Sequence, residues 1–416
     1  MKWLALDTMI WAPNVVSYFR LSDTHLKFLE HLDSETINEP YVTNNPIYRD
    51  LLSSGIISAI NTPDPPLQES FAPKITAFRI VVTEACNFSC PGCFSTTSLK
   101  ENGVKLRSMK RATLEIVMNK IINYGKKNEL ILHFFGGEPL LRMDLINIAV
   151  TICEEAVARG DMIPPKYGVT TNGSIITEEI TDFLCRHRFR VGVSIEETTS
   201  VHNLIRVSAK GHKPTFDVVS ANYLSLVNAG VDVHVLVTPQ PPIECQFVES
   251  FSRIMEMFPM KSITINTPYN LNSLEWNTPK NYFDILIECH RRAKNLGVEV
   301  DSALTPCISA IAYGLSRRSP QSRLADIVTV GVDTAGRIVR STHKWDEKLG
   351  THQWEEFNVK VNRDQECLAC QARGLCGGPN EEFQSFTGKM LDRNKCHFYK
   401  SLPGGISRNL DLFEQD

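Results

Sequence analysis

Between Lys74 and Asp301 the chain alternates strand-patterned runs with helical ones, and this rhythm constrains the fold more than any other feature. Ala77–Thr83, Leu130–Phe135, Tyr167–Thr171, Arg190–Ile195, Val231–Val237 and Ser262–Asn266 read as strands. Thr113–Tyr124, Met143–Ala158, Glu178–Arg186, Asp217–Val227, Phe247–Met257 and Tyr282–Leu296 read as helices by their apolar spacing. Six βα units predict an α/β class: a parallel sheet covered by helices, with right-handed crossovers. Chemistry in such sheets gathers at the C-terminal ends of the strands.

Two flanking sections break the rhythm. In residues 1–70, Ser22 or Asp23 is placed to cap a helix carrying Leu26, Leu29 and Leu32. Asn45-Pro46 reads as N-cap and first helical residue of a second helix through Tyr48, Leu51 and Leu52, stopping at Gly55. Ile56 and Ile57 are then expected to form a short strand, giving a small winged-helix-like module. Pro63, Pro65, Pro66 and Pro73 mark a linker to the barrel section, residues 74–301. In residues 302–416 a hairpin is expected: Ile327–Val332, a turn at Asp333-Thr334-Ala335-Gly336, then Arg337–Arg340. The rest reads as loops with closely spaced cysteines, a composition that takes its order from bound metal.

Cysteine chemistry depends on where the chain resides. No run of about 18 apolar residues predicts a membrane span. Met1–Tyr18 lacks the order of a signal peptide, so a cytoplasmic location is expected. Disulfides are rare there, and the 12 cysteines point to metal or redox work. With 42% hydrophobic residues a chain of 416 needs no staples to build a core. A net charge of −3 supplies no basic field for nucleic acid.

Directly after the first barrel strand stands Cys86-Asn-Phe-Ser-Cys90-Pro-Gly-Cys93. Three thiolates at C-x3-C-x2-C spacing suit three irons of a [4Fe–4S] cube and leave the fourth iron open for a ligand. A zinc site would want a fourth ligand nearby, and none lies close in sequence. Spacing alone leaves a catalytic cluster and a structural metal both open. The second strand ends in Gly136-Gly137-Glu138-Pro139, where the glycines allow a ligand close to the backbone and Glu138 offers a partner for an ammonium group. An ordinary βα turn with a surface Glu is the plainer alternative. Thr170-Thr171-Asn172-Gly173 at the end of the third strand is by itself only a turn signal.

Together these motifs resemble the radical S-adenosylmethionine (radical SAM) enzymes over Lys74–Asp301. The resemblance implies a partial (β/α)6 barrel, a catalytic [4Fe–4S] cluster on Cys86, Cys90 and Cys93, and SAM binding by Gly136, Gly137, Glu138 and Pro139. It places Asn172 and Ser194 beside the cofactor, with Glu196 where the family often has Asp. An arginine after the fourth strand meets the SAM carboxylate in a related subgroup, which suits the fork of Arg206; a solvated loop charge is the alternative. The family often has an aromatic before the third cysteine, whereas here it is Gly92, with Phe94 following, which leaves the adenine contact open. The implied chemistry is reductive cleavage of SAM to a 5′-deoxyadenosyl radical that takes a hydrogen from an unactivated carbon.

Cys367-Leu-Ala-Cys370, Cys376 and Cys396 form a second set, which ligand type alone leaves open between zinc and iron–sulfur. Its spacing resembles the SPASM extension of some radical SAM enzymes, which carries two auxiliary clusters. Cys307 and Gly336 match that pattern, but Ser341 and Asn380 stand where it has cysteines. Both missing ligands belong to one cluster, so the resemblance implies one auxiliary [4Fe–4S] cluster on Cys367, Cys370, Cys376 and Cys396. The vacated space is expected to be lined by Cys307, Ser341, Thr342 and His343, with His343 as a candidate catalytic group; a surface position on the hairpin end is the alternative for His343. Cys153, Cys185, Cys245 and Cys289 are expected to be buried packing residues, and Arg317, Arg318 and Arg323 a solvated basic loop.

The reading that follows is a peptide maturase making a crosslink, epimerisation or related C–H change. Its expected partners are a precursor peptide whose leader docks on residues 1–70, and a reduced flavodoxin or ferredoxin. The alternatives are an enzyme acting on a sugar, nucleoside or porphyrin precursor, and a non-catalytic metal scaffold, against which the Gly136-Gly137-Glu138 site argues.

Overall fold

A computed structural model describes residues 4–6, 9–12, 17–32, 40–61, 70–71, 74–91, 93, 106–239, 245–268, 277–305, 327–339, 359–360, 370, 372, 391–409 and 412. The N-terminal section begins with strands β1 (Leu4–Leu6), β2 (Met9–Ala12) and β3 (Ser17–Arg20), which form an antiparallel sheet in sequence order. Four helices follow: α1 (Asp23–Glu30), α2 (Pro40–Thr43), α3 (Pro46–Ser53) and α4 (Ile56–Ile60). The Ser22 side chain caps α1 by accepting from the His25 N–H, and Asn45 caps α3 by accepting from Ile47.

Ile56 and Ile57 are helical, not a strand as expected. Gly55, at φ 81°, ends α3, and the chain restarts as helix at once. Ile56, Ile57 and Ile60 then share one buried face, packed with Leu29, Leu51 and Tyr48 in a core separate from that of the barrel. Tertiary burial overrides the strand preference of isoleucine.

After a two-residue strand β4 (Ser70–Phe71), the barrel section contains β5 (Lys74–Thr83), α5 (Arg111–Gly125), β6 (Ile131–Gly136), α6 (Met143–Ala158), β7 (Lys166–Thr171), α7 (Glu178–Arg186) and β8 (Arg190–Ser194). It continues through α8 (Thr199–Ile205), α9 (Phe216–Asn228), β9 (Asp232–Val237), α10 (Cys245–Met257), β10 (Ser262–Ile265), α11 (Tyr282–Asn295) and β11 (Glu299–Asp301). Strands β5 to β11 pair in chain order, every pair parallel. Their outer faces bury Phe78, Ile80, Leu132, Phe134, Val169, Val193, Val235 and Ile263 against the helices. The α7 start shows why the rhythm was readable: Thr177 accepts from Ile180, and Glu178 and Glu179 occupy the positive first turn.

The hairpin is formed by β12 (Ile327–Val332) and β13 (Ile338–Val339), but it does not stand apart from the barrel. Strand β12 pairs in parallel with β5, from Ile327 opposite Lys74 to Val332 opposite Ile80. The nine-stranded sheet therefore runs β11-β10-β9-β8-β7-β6-β5-β12-β13, and among the described residues its two end strands are not paired with each other. A two-residue strand β14 (Val359–Lys360) pairs with β4. The C-terminal α12 (Arg393–Ser407) docks on α11, where a Cβ at Gly405 would meet the Phe283 ring at 2.3 Å. Among the described residues no helix is long and apolar enough to cross a membrane.

Candidate active site

The cysteine loop leaves the C-terminal end of β5 and is tied down on both sides. Ser89 N–H donates to the Val207 carbonyl at 2.9 Å, and Ala209 N–H to that of Asn87 at 2.8 Å. Cys93 N–H donates to the Cys90 carbonyl at 3.2 Å, closing the turn through Pro91. Below the loop, the buried Glu84 accepts from Arg107 N–H at 2.8 Å and from the Thr334 hydroxyl at 2.9 Å, so the hairpin turn braces the base of the loop.

The two glycines have a more local task than admitting a ligand. Gly137 N–H donates to Thr83 O, and Glu138 N–H to Ala85 O, each at 2.9 Å. A Cβ on Gly136 would fall 2.1 Å from Thr83 O, and one on Gly137 2.3 Å from Ala85 O. The backbone they accommodate is the segment entering the cysteine loop.

Glu138 is fully buried, and the alternative of a surface Glu is overturned. One carboxylate oxygen accepts from Leu140 N–H at 3.1 Å and from the Thr171 hydroxyl at 2.8 Å; the other accepts from Asn172 N–H at 2.7 Å. Burial outweighs these bonds and pushes its pKa up to about 7. Asn172 passes the connection on: its amide donates to Asn87 Oδ1 at 2.9 Å and to Cys86 Sγ at 3.7 Å. Ser174 accepts from Asn87 and donates to Asn172, at 2.8 and 2.7 Å. The ends of β5, β6 and β7 thus form one polar cradle around Cys86.

Arg206 is not the solvated loop charge that remained open. It forms a buried ion pair with Glu196, whose side chain is fully buried, with Nε donating to Oε1 at 2.6 Å. The second Glu196 oxygen accepts from Thr238 N–H at 2.9 Å. The Arg206 guanidinium lies close enough to Cys90 and Cys93 for their charges to interact with it. Burial still holds the thiols high, Cys86 at about 12 and Cys90 at about 11.

Among the described residues no three His, Cys, Asp or Glu side chains converge on a single-ion site. The three thiols, on one loop and within charge reach of one another, instead fit a cluster that spreads its ligands over three irons. Loading it must release their protons.

Ser194 ends β8, on the same side of the sheet as the cysteine loop, and Pro139 opens a 3₁₀ turn of residues 139–142 capped by Glu138. Of the second cysteine set, Cys370 and Cys396 are half-buried, and Cys370 packs against the barrel core. Cys367, Cys376, Cys307, Ser341, Thr342, His343, Gly92, Phe94, Arg317, Arg318 and Arg323 lie outside the described residues. Cys153 and Cys289 are buried as expected, whereas Cys185 is exposed at the end of α7; the side chain of Cys245 is not among those described. Asn87 stood inside the cysteine motif and Thr171 inside a turn signal without being singled out, and Ser174 and Glu84 belonged to no motif. Their polarity beside the cysteine loop and at the strand ends was the available signal.

Residues 80–251 match the family model described as the radical SAM superfamily. The chain carries a radical SAM domain. The family implies SAM and a [4Fe–4S] cluster, and the cysteine loop with its cradle lies within the matched residues. An uncharacterized protein of Archaeoglobus fulgidus is 24% identical over 80% of this chain and 81% of its own length. A cysteine-type anaerobic sulfatase-maturating enzyme of Clostridium novyi is 28% identical over 36% of this chain and 40% of its own. A probable GTP 3′,8-cyclase of Methanocaldococcus jannaschii is 25% identical over 50% of this chain and 68% of its own. The sulfatase-maturating enzyme match thus spans less than two thirds of that relative's length. Among solved structures, native anSMEcpe with bound AdoMet and Cp18Cys peptide superposes with a TM-score of 0.66. That match covers 82% of this chain and 99% of the other at 16% identity, which establishes the fold.

Proposed function

We propose that this radical SAM enzyme modifies a peptide, abstracting hydrogen from one of its side chains or α-carbons. The observation that carries this reading is the fold likeness over 82% of the chain to a structure holding AdoMet together with a peptide. A separate N-terminal core is the second support, because it supplies a small module able to hold a leader while the barrel acts on the rest. When bound, the cluster and SAM supply the 5′-deoxyadenosyl radical.

The chain's own residues position that pair. Cys86, Cys90 and Cys93 hold the cluster. The Glu138 carboxylate has four lone-pair sites, of which three donors use three, so one remains for the SAM ammonium. Arg206 gives Nε and Nη2 to Glu196 and keeps further donors of its five for the SAM carboxylate. Asn172, just past the end of β7, and Ser194, the last residue of β8, would contact the bound cofactor, Ser194 near the ribose. The proposal includes one auxiliary cluster on Cys367, Cys370, Cys376 and Cys396, His343 as a proton or hydrogen-atom partner of the substrate, and a flavodoxin or ferredoxin as reductant.

Turnover of a precursor peptide encoded beside the gene, followed by mass spectrometry, tests the substrate class. A mass change that depends on SAM and requires the leader supports the reading; unchanged peptide overturns it. Iron analysis should give about eight irons per chain, two cubes of four, and about twelve would contradict a single auxiliary cluster. The match to a GTP cyclase favours a second reading, a small-molecule precursor as substrate.

A further inference from the structure

Helix α8 carries a fully buried histidine, His202, four residues before Arg206. Both ring nitrogens are engaged, and each partner fixes a role. Nδ1 lies 3.3 Å from the Glu196 backbone nitrogen, and an amide N–H only donates, so Nδ1 accepts. Nε2 lies 3.2 Å from the Thr215 hydroxyl. That hydroxyl gives its one proton to the Arg206 carbonyl, which only accepts, so its oxygen receives a proton from Nε2. The ring is therefore the neutral tautomer with its proton on Nε2. Burial first, then the Arg206 charge, lowers its pKa to about 3, which keeps it in that state.

The two bonds reach the two members of one ion pair. The first holds the backbone of Glu196, whose carboxylate receives the Arg206 guanidinium. The second, through Thr215, holds the Arg206 carbonyl, while Arg206 N–H donates to the His202 carbonyl at 2.7 Å. The neighbouring Asn203 fixes the frame. Its Oδ1 accepts from Thr215 N–H and Phe216 N–H, each at 2.9 Å, at the start of α9. The Phe216 ring meets His202 edge-on, with centroids 5.4 Å apart.

The chain that leaves Arg206 grips the cysteine loop. The Val207 carbonyl receives Ser89 N–H, Ala209 N–H reaches the Asn87 carbonyl, and Ser208 forms an antiparallel bridge with Phe88. These contacts all fall between Cys86 and Cys90 in sequence. Arg206 and Thr215 bound the gripping segment at its two ends, and the Thr215 hydroxyl ties those ends together. His202 orients that hydroxyl. A buried apolar residue would fill the same space without fixing either end.

We propose that His202 is a positioning residue: by tying Glu196 to Thr215 and Arg206, it sets where the Arg206 guanidinium stands relative to the cysteine loop, and so sets the affinity of the site for the SAM carboxylate. This rests on the reading above in which Arg206 receives that carboxylate. An uncharged imidazole suits the task, because it offers one acceptor and one donor on a rigid ring. A protonated ring would set Nδ1–H against the Glu196 N–H, donor against donor.

The test is equilibrium binding of SAM and of decarboxylated SAM, which lacks only the carboxylate, to the cluster-loaded protein without reductant, so that no turnover enters. His202→Phe keeps the ring packing and loses both bonds. His202→Gln retains a donor for Thr215, and His202→Asn an acceptor for Glu196. His202→Phe should weaken SAM by about tenfold or more and leave decarboxylated SAM nearly unchanged, with the Gln and Asn variants between it and the wild type. Gln and Asn carry the same test if the Phe variant does not fold or load its cluster. Wild-type SAM affinity in the folded variants, or an equal loss of both ligands, would overturn the proposal, since a merely structural role does not discriminate between them. Arg206→Gln separates the two readings. If it loses the preference for SAM and the His202 variants keep it, the positioning role alone is overturned. If it keeps the preference, the carboxylate reading of Arg206 is overturned, and the proposal with it.

Discussion

On β6, Leu132 and Phe134 are fully buried against the helices, while His133 and Phe135, each one residue on, keep part of their surface open to the lumen. The same contrast runs through β9, where Val233 and Val235 alternate with His234 and Leu236. A strand reverses its facing at every residue, so stability and chemistry are written into alternate positions of one segment. The outer face is apolar and fully enclosed. The inner face mixes polar side chains with apolar ones such as Phe135 and Leu236 and keeps partial access, with glycines where a neighbour's imidazole comes close.

The contrast can be broken by mutation. Phe134→Ala on the outer face is expected to destabilise the protein by about 3–5 kcal/mol, a cavity cost, measured by chemical denaturation. At the rim between the faces, Arg206→Met leaves the fully buried Glu196 without its cation, an expected loss of about 3 kcal/mol or more in the same measurement. Glu138→Gln turns an amide donor toward an N–H or hydroxyl donor and should cost about 1–3 kcal/mol. On the inner face, Thr170→Val should cost about 1 kcal/mol or less. If it cost as much as Phe134→Ala, the two faces would not divide the work as described.

Glu138 also predicts a pH dependence. Its folded pKa, about 7, lies above its ordinary carboxyl value, so the folded state binds the extra proton. Its contribution to stability is fully present below the ordinary value near 4.5 and is lost as pH rises through about 7. Stability measured across that window should fall more steeply in the wild type than in Glu138→Gln. Parallel curves would show that Glu138 titrates as it would in water.

The outer face was the legible part of the sequence. Periodicity located the strands and helices of the barrel to within a few residues, because apolar spacing and caps such as Thr177 are local signals. The cysteine loop and Gly136-Gly137-Glu138 were legible as motifs, but their coupling was not. That Gly136 and Gly137 make way for Thr83 and Ala85, or that Arg206 pairs with Glu196 beside Cys90, depends on strands meeting in space. The same limit hid the pairing of β12 with β5, a contact between segments some 250 residues apart in the chain. Helix α4 was misread because two adjacent isoleucines favour a strand, while burial against Leu29 and Leu51 decides for a helix.

The most direct test of the central claim is anaerobic formation of 5′-deoxyadenosine from SAM, under dithionite, by the cluster-loaded protein. The wild type should form it. The combined variant Cys86→Ala, Cys90→Ala and Cys93→Ala should form none above the protein-free control, although it retains the residues of the second cysteine set. Undiminished 5′-deoxyadenosine from that variant would contradict the assignment of the loop as the catalytic centre.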